Sequence, residues 1–332
     1  MMILLAFVLV LFAFIISYGL SSIGLEWLFG VFFPYLAFFT FVIGIVWRVF
    51  KWASSPVPFR IPAVCGQQKS LPFLKHNKLE SPFTTWQVIL RMALEILLFR
   101  SLFRNTKAYF TKDKRLVFGF AKWLWLFGLL FHWSFLIIVV RHLRLFLEPV
   151  PSFVDTISAL DGFFQIGVPV LYLTDVVIVV ALTYLFLRRV VLPQVRYVSL
   201  LQDYFPLFLI LGIAITGILM RYFFKTDVPT VKQLVASLLS FSFSTPEGLS
   251  PLFYSHLFLV SLLFAYFPFS KLVHMAGVFF SPTRNLANNS RYRRHINPWN
   301  PEVKVHTYEE YEEEFYDLLK EAGYPLEREK HG

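Results

Sequence analysis

The sequence predicts an all-α fold, a polytopic membrane bundle of six transmembrane helices. Three observations predict it. Of 332 residues, 57% are hydrophobic and only 16% charged, whereas a soluble domain is about a quarter charged. Six windows of helical length are nearly free of charge. The basic residues behind the net charge of +10 gather on alternate connections between those windows. An apolar chain with such a basic excess obeys a topology rule rather than binding nucleic acid, and its solvent is membrane lipid.

The windows follow in order. A bilayer core of about 30 Å needs about 20 apolar residues in a helix. Residues 1–25 and 27–47 carry no charge, and Glu26 separates them. The first lacks the basic n-region and small-x-small cleavage site of a signal peptide, so it reads as a retained helix. Residues 123–140 lie between Lys122 and Arg141, and 162–187 hold one charge, Asp175. Residues 204–220 lie between Asp203 and Arg221, and 248–270 end at Lys271.

The connections orient the bundle. Residues 48–122 hold fourteen Lys and Arg, 188–203 hold three and the tail from 271 holds nine, so 26 of the 31 basic residues share one side of a six-span chain. The positive-inside rule then places both termini in the cytoplasm, with the protein in the cytoplasmic membrane. Within the long inner loop, Trp86, Ile89, Leu90, Ala93, Leu94, Leu97 and Leu98 recur at helical spacing, with Arg91, Glu95 and Arg100 between or after them. That pattern predicts an amphipathic helix on the inner membrane surface or against a partner subunit. The resulting organisation is two N-terminal helices (1–50), a basic loop with its interfacial helix (51–115), a four-helix core (116–280) and a tail (281–332). The tail holds ten of the 21 acidic residues and reads as a docking segment for a cytoplasmic protein.

The one cysteine, Cys65, excludes an internal disulfide, an Fe–S site and a c-type haem attachment. Metal ligands must then be sought among the eight histidines. His76, His295, His306 and His331 lie in loops or the tail. His132 and His142 belong to the third span, His256 and His274 to the sixth. Ionisable groups inside a membrane are costly and mark function. His132 and His142 are ten apart, about 15 Å along a helix; His256 and His274 are eighteen apart, about 27 Å, and return to one helical face. The two spans run antiparallel, so His132 meets His274 toward the inner side and His142 meets His256 toward the outer side. Each pair suits bis-imidazole ligation of one haem iron, with the two haems about 20 Å apart. The rises differ, so a tilt or a kink at Pro268 is expected.

Gly128 and Gly277, close to His132 and His274, offer room for a haem. Arg141, Arg144 and Lys271 are candidate partners for haem propionates, or plain snorkelling residues. Asp175, near the middle of the fourth span, is expected to face the bundle as the partner of a polar group or as part of a proton path. Asp155 and Asp161 are candidate proton acceptors at the outer side. Arg141, Arg144, Asp155 and Asp161 are also candidates for a quinone site by position.

The two histidine spacings resemble those of the gamma subunit of respiratory nitrate reductase, a di-haem b quinol-oxidising subunit. The resemblance spans roughly residues 25–285 and implies that family's five-helix plan, with the first span extra, and the same histidine pairing. The tail is more specific. Arg294-His295-Ile296-Asn297-Pro298-Trp299-Asn300-Pro301, followed by Val303-Lys304-Val305-His306-Thr307-Tyr308-Glu309-Glu310-Tyr311, resembles the DsrM family, as does Arg100-Ser101-Leu102-Phe103-Arg104-Asn105-Thr106-Lys107. That family comprises the membrane cytochrome b subunits of DsrMKJOP complexes in sulfate-reducing and sulfur-oxidising microbes. It implies two haem b, exchange with menaquinone or menaquinol, a cytoplasmic Fe–S partner resembling DsrK, and further membrane and periplasmic subunits. It also implies a link to reduction of the DsrC trisulfide.

The expected function is therefore an electron conduit, with quinol oxidised near the outer haem and electrons leaving through the inner haem to an Fe–S partner. The alternatives are a haem b subunit of a nitrate-reductase-like or heterodisulfide-reductase-like complex, a haem-free proton-coupled transporter and a haem-free scaffold.

Overall fold

The computed structural model describes residues 1–55, 66–103, 107–165, 169–289 and 305–327. Cys65, the segment from Arg104 to Thr106, the motif from Arg294 to Pro301 and His331 lie outside the described residues.

Helix α1 (Met2–Ser22) is followed by a π-helical turn, Leu28–Phe32, that leads directly into α2 (Phe33–Ala53). In the basic loop stand α3 (Thr85–Leu98), the single turn α4 (Arg100–Phe103) and a hairpin of β1 (Lys107–Phe110) with β2 (Leu116–Gly119). Next come α5 (Lys122–His142), α6 (Ser152–Asp161) and a second small hairpin, β3 (Gly162–Phe164) with β4 (Leu171–Tyr172). Then follow α7 (Leu173–Val191), α8 (Pro193–Val198), α9 (Leu201–Tyr222), α10 (Val228–Leu239) and α11 (Pro251–Tyr266). The chain ends in α12 (His274–Phe280), α13 (Pro282–Asn285), α14 (Tyr308–Glu314) and α15 (Tyr316–Glu321).

Five helical stretches are long and apolar enough to cross a bilayer: Met2–Ser22, Leu28–Ala53, Lys122–Leu145, Leu201–Tyr222 and Pro251–Phe269. The sixth, α7, has 19 residues and carries Asp175, Arg188 and Arg189 toward its ends. It packs between α5 and α9, where Asp175 and Arg189 have protein partners. The fourth span thus begins at Leu173 rather than residue 162. The apolar run before it contributes the two strands of a hairpin, Gly162–Phe164 and Leu171–Tyr172, and Asp175 lies in the first turn of its helix rather than mid-span. Likewise the core begins at Lys122, since Leu116–Gly119 is a strand. Strand β2 includes the β-branched Val117 and the aromatic Phe118, residue types that suit a pleated surface.

The packing order follows from the contacts. Helix α5 lies on α7, α7 on α9, α9 on α11 and α1, and α11 on α1 and α2. The central core joins Val10, Ile178, Leu182, Leu209, Ile210, Leu259 and Leu263 from four helices. In lipid, apolar burial gives helices little reason to associate, so close packing and polar contacts must hold them. Small hydroxyl residues at the contacts, Ser17, Ser134, Ser255 and Ser261, donate back to carbonyls of their own helices. They permit close approach without unsatisfied polar groups. Most other large apolar side chains, among them Leu4, Phe12 and Ile43, face outward.

The ends of the bundle are chemically distinct. At the basic end, Asp203 accepts from the Leu200 backbone N–H, forms an ion pair with Lys271 (2.9 Å) and lies 3.8 Å from Arg189. There too, Arg48 donates to the Pro268 carbonyl (3.0 Å). That carbonyl stands beyond the last α-helical residue of α11, so a side chain can take it. Pro268 has no N–H and cannot extend a helical ladder, so the chain passes into a 3-10 turn, Phe267–Phe269. Ser270 is extended, and its side chain accepts from Leu272 N–H to start the next turn. His256 and His274 therefore do not share one continuous helix, and the same-face argument from their spacing does not hold.

Helix α3 is amphipathic in an unusual sense. Its buried residues are Val88 and Arg91, while Trp86, Ile89, Leu90, Leu97 and Leu98 are exposed. Glu95 binds Ser101 and Arg284, and Arg100 binds Glu80 (2.7 Å). The polar side thus faces protein and the apolar side faces out, as an interfacial helix requires. The tail does not separate at residue 281. Asn288 is buried, receives Gln68 Nε2 on its carbonyl (3.0 Å) and donates from its own N–H to the Pro82 carbonyl. Residues 284–289 therefore belong with the inner loop.

Candidate functional site

Helix α5 carries His132 and His142, α11 carries His256 and α12 begins with His274. Helices α5 and α11 are not close-packed neighbours, since α5 leans on α7, and α11 on α1, α2 and α9. The imidazoles face one another across the space between them. His132 from the middle of α5 and His274 from the first turn of α12 have ring centroids 6.0 Å apart. Two metal–nitrogen bonds of about 2 Å each, with about 1 Å more from each nitrogen to its ring centre, give about the same separation. At the other end, His142 closes α5 and lies within electrostatic reach of His256 on α11.

Each of the four rings is held by the same nitrogen. His132 Nδ1 lies 2.7 Å from the Gly128 carbonyl, His142 Nδ1 2.7 Å from that of Ile138, and His274 Nδ1 2.8 Å from that of Lys271. A carbonyl only accepts, so Nδ1 must carry the proton in these three rings, and each Nε2 is left with a free lone pair. His256 Nδ1 lies 2.8 Å from Thr216 Oγ1, and the Thr216 hydroxyl has the Gly212 and Ile213 carbonyls to donate to. The fourth ring therefore suits the same tautomer. His132, His142 and His274 are exposed and His256 is half-buried.

The donor set suits haem iron. The histidines form pairs, and among the described residues no group of three or more His, Cys, Asp or Glu side chains could hold a bare metal ion. A porphyrin supplies the four equatorial nitrogens that such pairs lack. A Cβ on Gly128 would lie 3.7 Å from Leu102 and one on Gly277 3.5 Å from Trp52, ordinary contact distances, so helix packing does not demand glycine at either place. The glycine that approaches an imidazole is Gly217, where a Cβ would lie 3.4 Å from His256 Cε1. A lone Thr-Gly step in an apolar span was the available signal. Phe99, which packs edge-on against His132 at 4.8 Å, left no such signal.

The cations flanking the histidines have protein partners. Arg141, buried at the end of α5, bridges Asp175 (2.9 Å) and Asp161 (3.1 Å). Asp175 also accepts from Tyr222 Oη (2.7 Å), and Asp161 from the Thr174 N–H and hydroxyl. The Arg141 guanidinium lies over the Tyr172 ring at 3.7 Å, and Arg221 lies 4.0 Å from the same ring. Asp175 is thus the partner of polar groups, and Arg141 has two carboxylates of its own rather than a charge left for a propionate. Lys271 is engaged by Asp203. Arg144 donates to Ser158 (2.6 Å) and to the Arg141 carbonyl, so no carboxylate neutralises it in these contacts. Beside it opens a cleft of about 550 Å³, lined by Arg144, Asp155, Ser158, Phe163, Gln165 and Tyr172 among others.

Residues 83–295 match the nitrate reductase gamma subunit family. The match begins after α2. A protein of Archaeoglobus fulgidus named "Hdr-like menaquinol oxidoreductase cytochrome b-like subunit" is 49% identical over 281 residues, 82% of this chain and 84% of the relative. One of the same name in Archaeoglobus profundus is 43% identical over 279 residues, 82% of each chain.

Proposed function

The chain belongs to the nitrate reductase gamma subunit family, and from that premise we propose that it is the di-haem b membrane subunit of an Hdr-like menaquinol-oxidising complex. The observation that carries the reading is the common state of the four imidazoles, each tied at Nδ1 and free at Nε2. His132 with His274 would hold the haem nearer the basic end, and His142 with His256 the haem nearer the opposite end. When bound, two haems supply one-electron carriage across the bilayer.

The chain's own residues do the rest. Backbone carbonyls fix three of the rings and Thr216 the fourth. The cleft beside Arg144 offers hydroxyl, amide and guanidinium donors with an aromatic wall, a suitable lining for a menaquinol head group. Asp155, on the cleft rim, is placed to take a proton from its hydroxyl. Arg144 is the cation available to a propionate. With the basic end in the cytoplasm, as the positive-inside rule requires, electrons leave on that side. The chain's single cysteine (Cys65) cannot hold a cluster, so the next carrier belongs to a cytoplasmic Fe–S partner of the DsrK kind, docked on the inner loop and tail. The names of the Archaeoglobus relatives support the menaquinol and Hdr-like parts. The tail motif supports a place in dissimilatory sulfur metabolism.

The test is spectroscopic. Purified protein should show a dithionite-reduced b-type spectrum with two haems per chain. His142→Ala should remove one haem and His274→Ala the other. A folded protein without haem, or loss of both haems from either variant, would overturn the reading.

A further inference from the structure

The four histidines are not held alike. His132, His142 and His274 bind backbone carbonyls of their own helix or adjoining turn. His256 alone is held from another helix and by a side chain, Thr216 of α9. The Thr216 hydroxyl is buried and lies 2.8 Å from the Gly212 carbonyl and 3.0 Å from that of Ile213. Its proton therefore goes to its own backbone, and toward His256 the oxygen can only accept. Next to it, Gly217 lets the imidazole lie against α9, 3.4 Å from where a Cβ would stand. The Ile213 carbonyl is a second acceptor near the same ring.

From this geometry we infer that Thr216 is a positioning residue that orients His256 and tunes the potential of the haem which His142 and His256 would hold. The inference rests on the di-haem reading above. An acceptor on Nδ1–H makes the imidazole a more basic ligand, which favours the oxidised iron. Removing it weakens that donation, so the potential rises. Replacing Thr216 by Val or Ser sorts the effect by chemistry: Ser keeps a hydroxyl that can accept and donate in the same place, and Val does not.

The experiment is redox potentiometry of the purified protein, following the two haems by their α-bands and low-spin EPR signals. Thr216→Val should raise the midpoint of one haem only, shifting its reduced-to-oxidised ratio at fixed potential about tenfold, about 59 mV for one electron. Thr216→Ser should restore the parent value. Gly217→Ala should alter the EPR signal of the same haem, by turning the ring pressed against it. An unchanged midpoint in T216V would show that the Ile213 carbonyl alone orients the ring, and would overturn the inference. Equal movement of both haems, a lowered midpoint, or failure of T216S to restore it would also do so. If T216V does not assemble, G217A decides, and an unaltered signal counts against the proposal. Parent protein without haem would instead refute the underlying reading.

Discussion

Arg141 shows how much of this bundle's stability sits in single residues. Its guanidinium is buried between Asp161 and Asp175 and over the ring of Tyr172. Removing one member of a buried ion pair leaves the others uncompensated, at a cost of about 3–5 kcal/mol. Arg141→Met should therefore sharply lower the thermal unfolding midpoint of the detergent-solubilised protein. Tyr222→Phe, which removes one hydrogen bond to Asp175, should cost about 1–3 kcal/mol. A midpoint in R141M equal to the parent's would show that the cluster contributes nothing to the fold. At this scale the sequence exposes the odd residues but not their partners. Asp175 and the four membrane histidines stand out because charge in an apolar run is expensive. That Asp175 meets Arg141 and Tyr222 depends on three helices ending at one level, which no local pattern records. The carbonyls that hold the imidazoles are legible only once a helix is assumed. Thr216 needs the neighbouring helix as well.

Among the elements, the break after α11 decides where His274 stands. Gly44 on α2 is what allows α2 to lie against it: a Cβ there would come 2.7 Å from Pro268 Cβ. Proline is rigid, so the clash cannot be relieved by a rotamer change. Overpacking of this kind costs about 1–3 kcal/mol. Gly44→Ala should destabilise the bundle by that amount and disturb the spectrum of the haem assigned to His132 and His274, leaving the other unaltered. Equal disturbance of both haems, or of neither, would disconnect the break from the His274 site. The sequence marks this break only through Pro268, and a proline is equally compatible with a mild kink. The extended Ser270 that turns a kink into a stop has no distinctive signature. The apolar stretch 162–172 misleads for a related reason. Hydropathy measures affinity for lipid, not helicity, so the strands of a hairpin count as part of a span.

For the whole molecule, the decisive feature is the separation of its two ends. One end holds Asp203 against Arg189 and Lys271, with Arg48 on the Pro268 carbonyl, while the other holds the Arg141 cluster and the cleft. The composition made this asymmetry legible from charge alone, since lipid forces polar groups to the ends and the Lys and Arg count distinguishes them. What it could not show is that residues 284–289 fold back on the inner loop while α14 and α15 pack on one another. The tail is thus two parts with different duties. Arg284, bonded to Glu95 and Ser101, secures α3. The helices beyond it present Tyr308, Tyr311 and Leu318 outward among carboxylates. On the proposed function, a chain ended after residue 304 should keep both haems and the parent's unfolding midpoint but lose the proposed Fe–S partner on affinity purification from membranes. Arg284→Ala should do the reverse, loosening α3, detected as faster proteolysis of the 66–103 segment, while partner capture persists. If the shortened chain still captures the partner at parental yield, docking belongs to the inner loop, and the acidic helices must be removed from the interface.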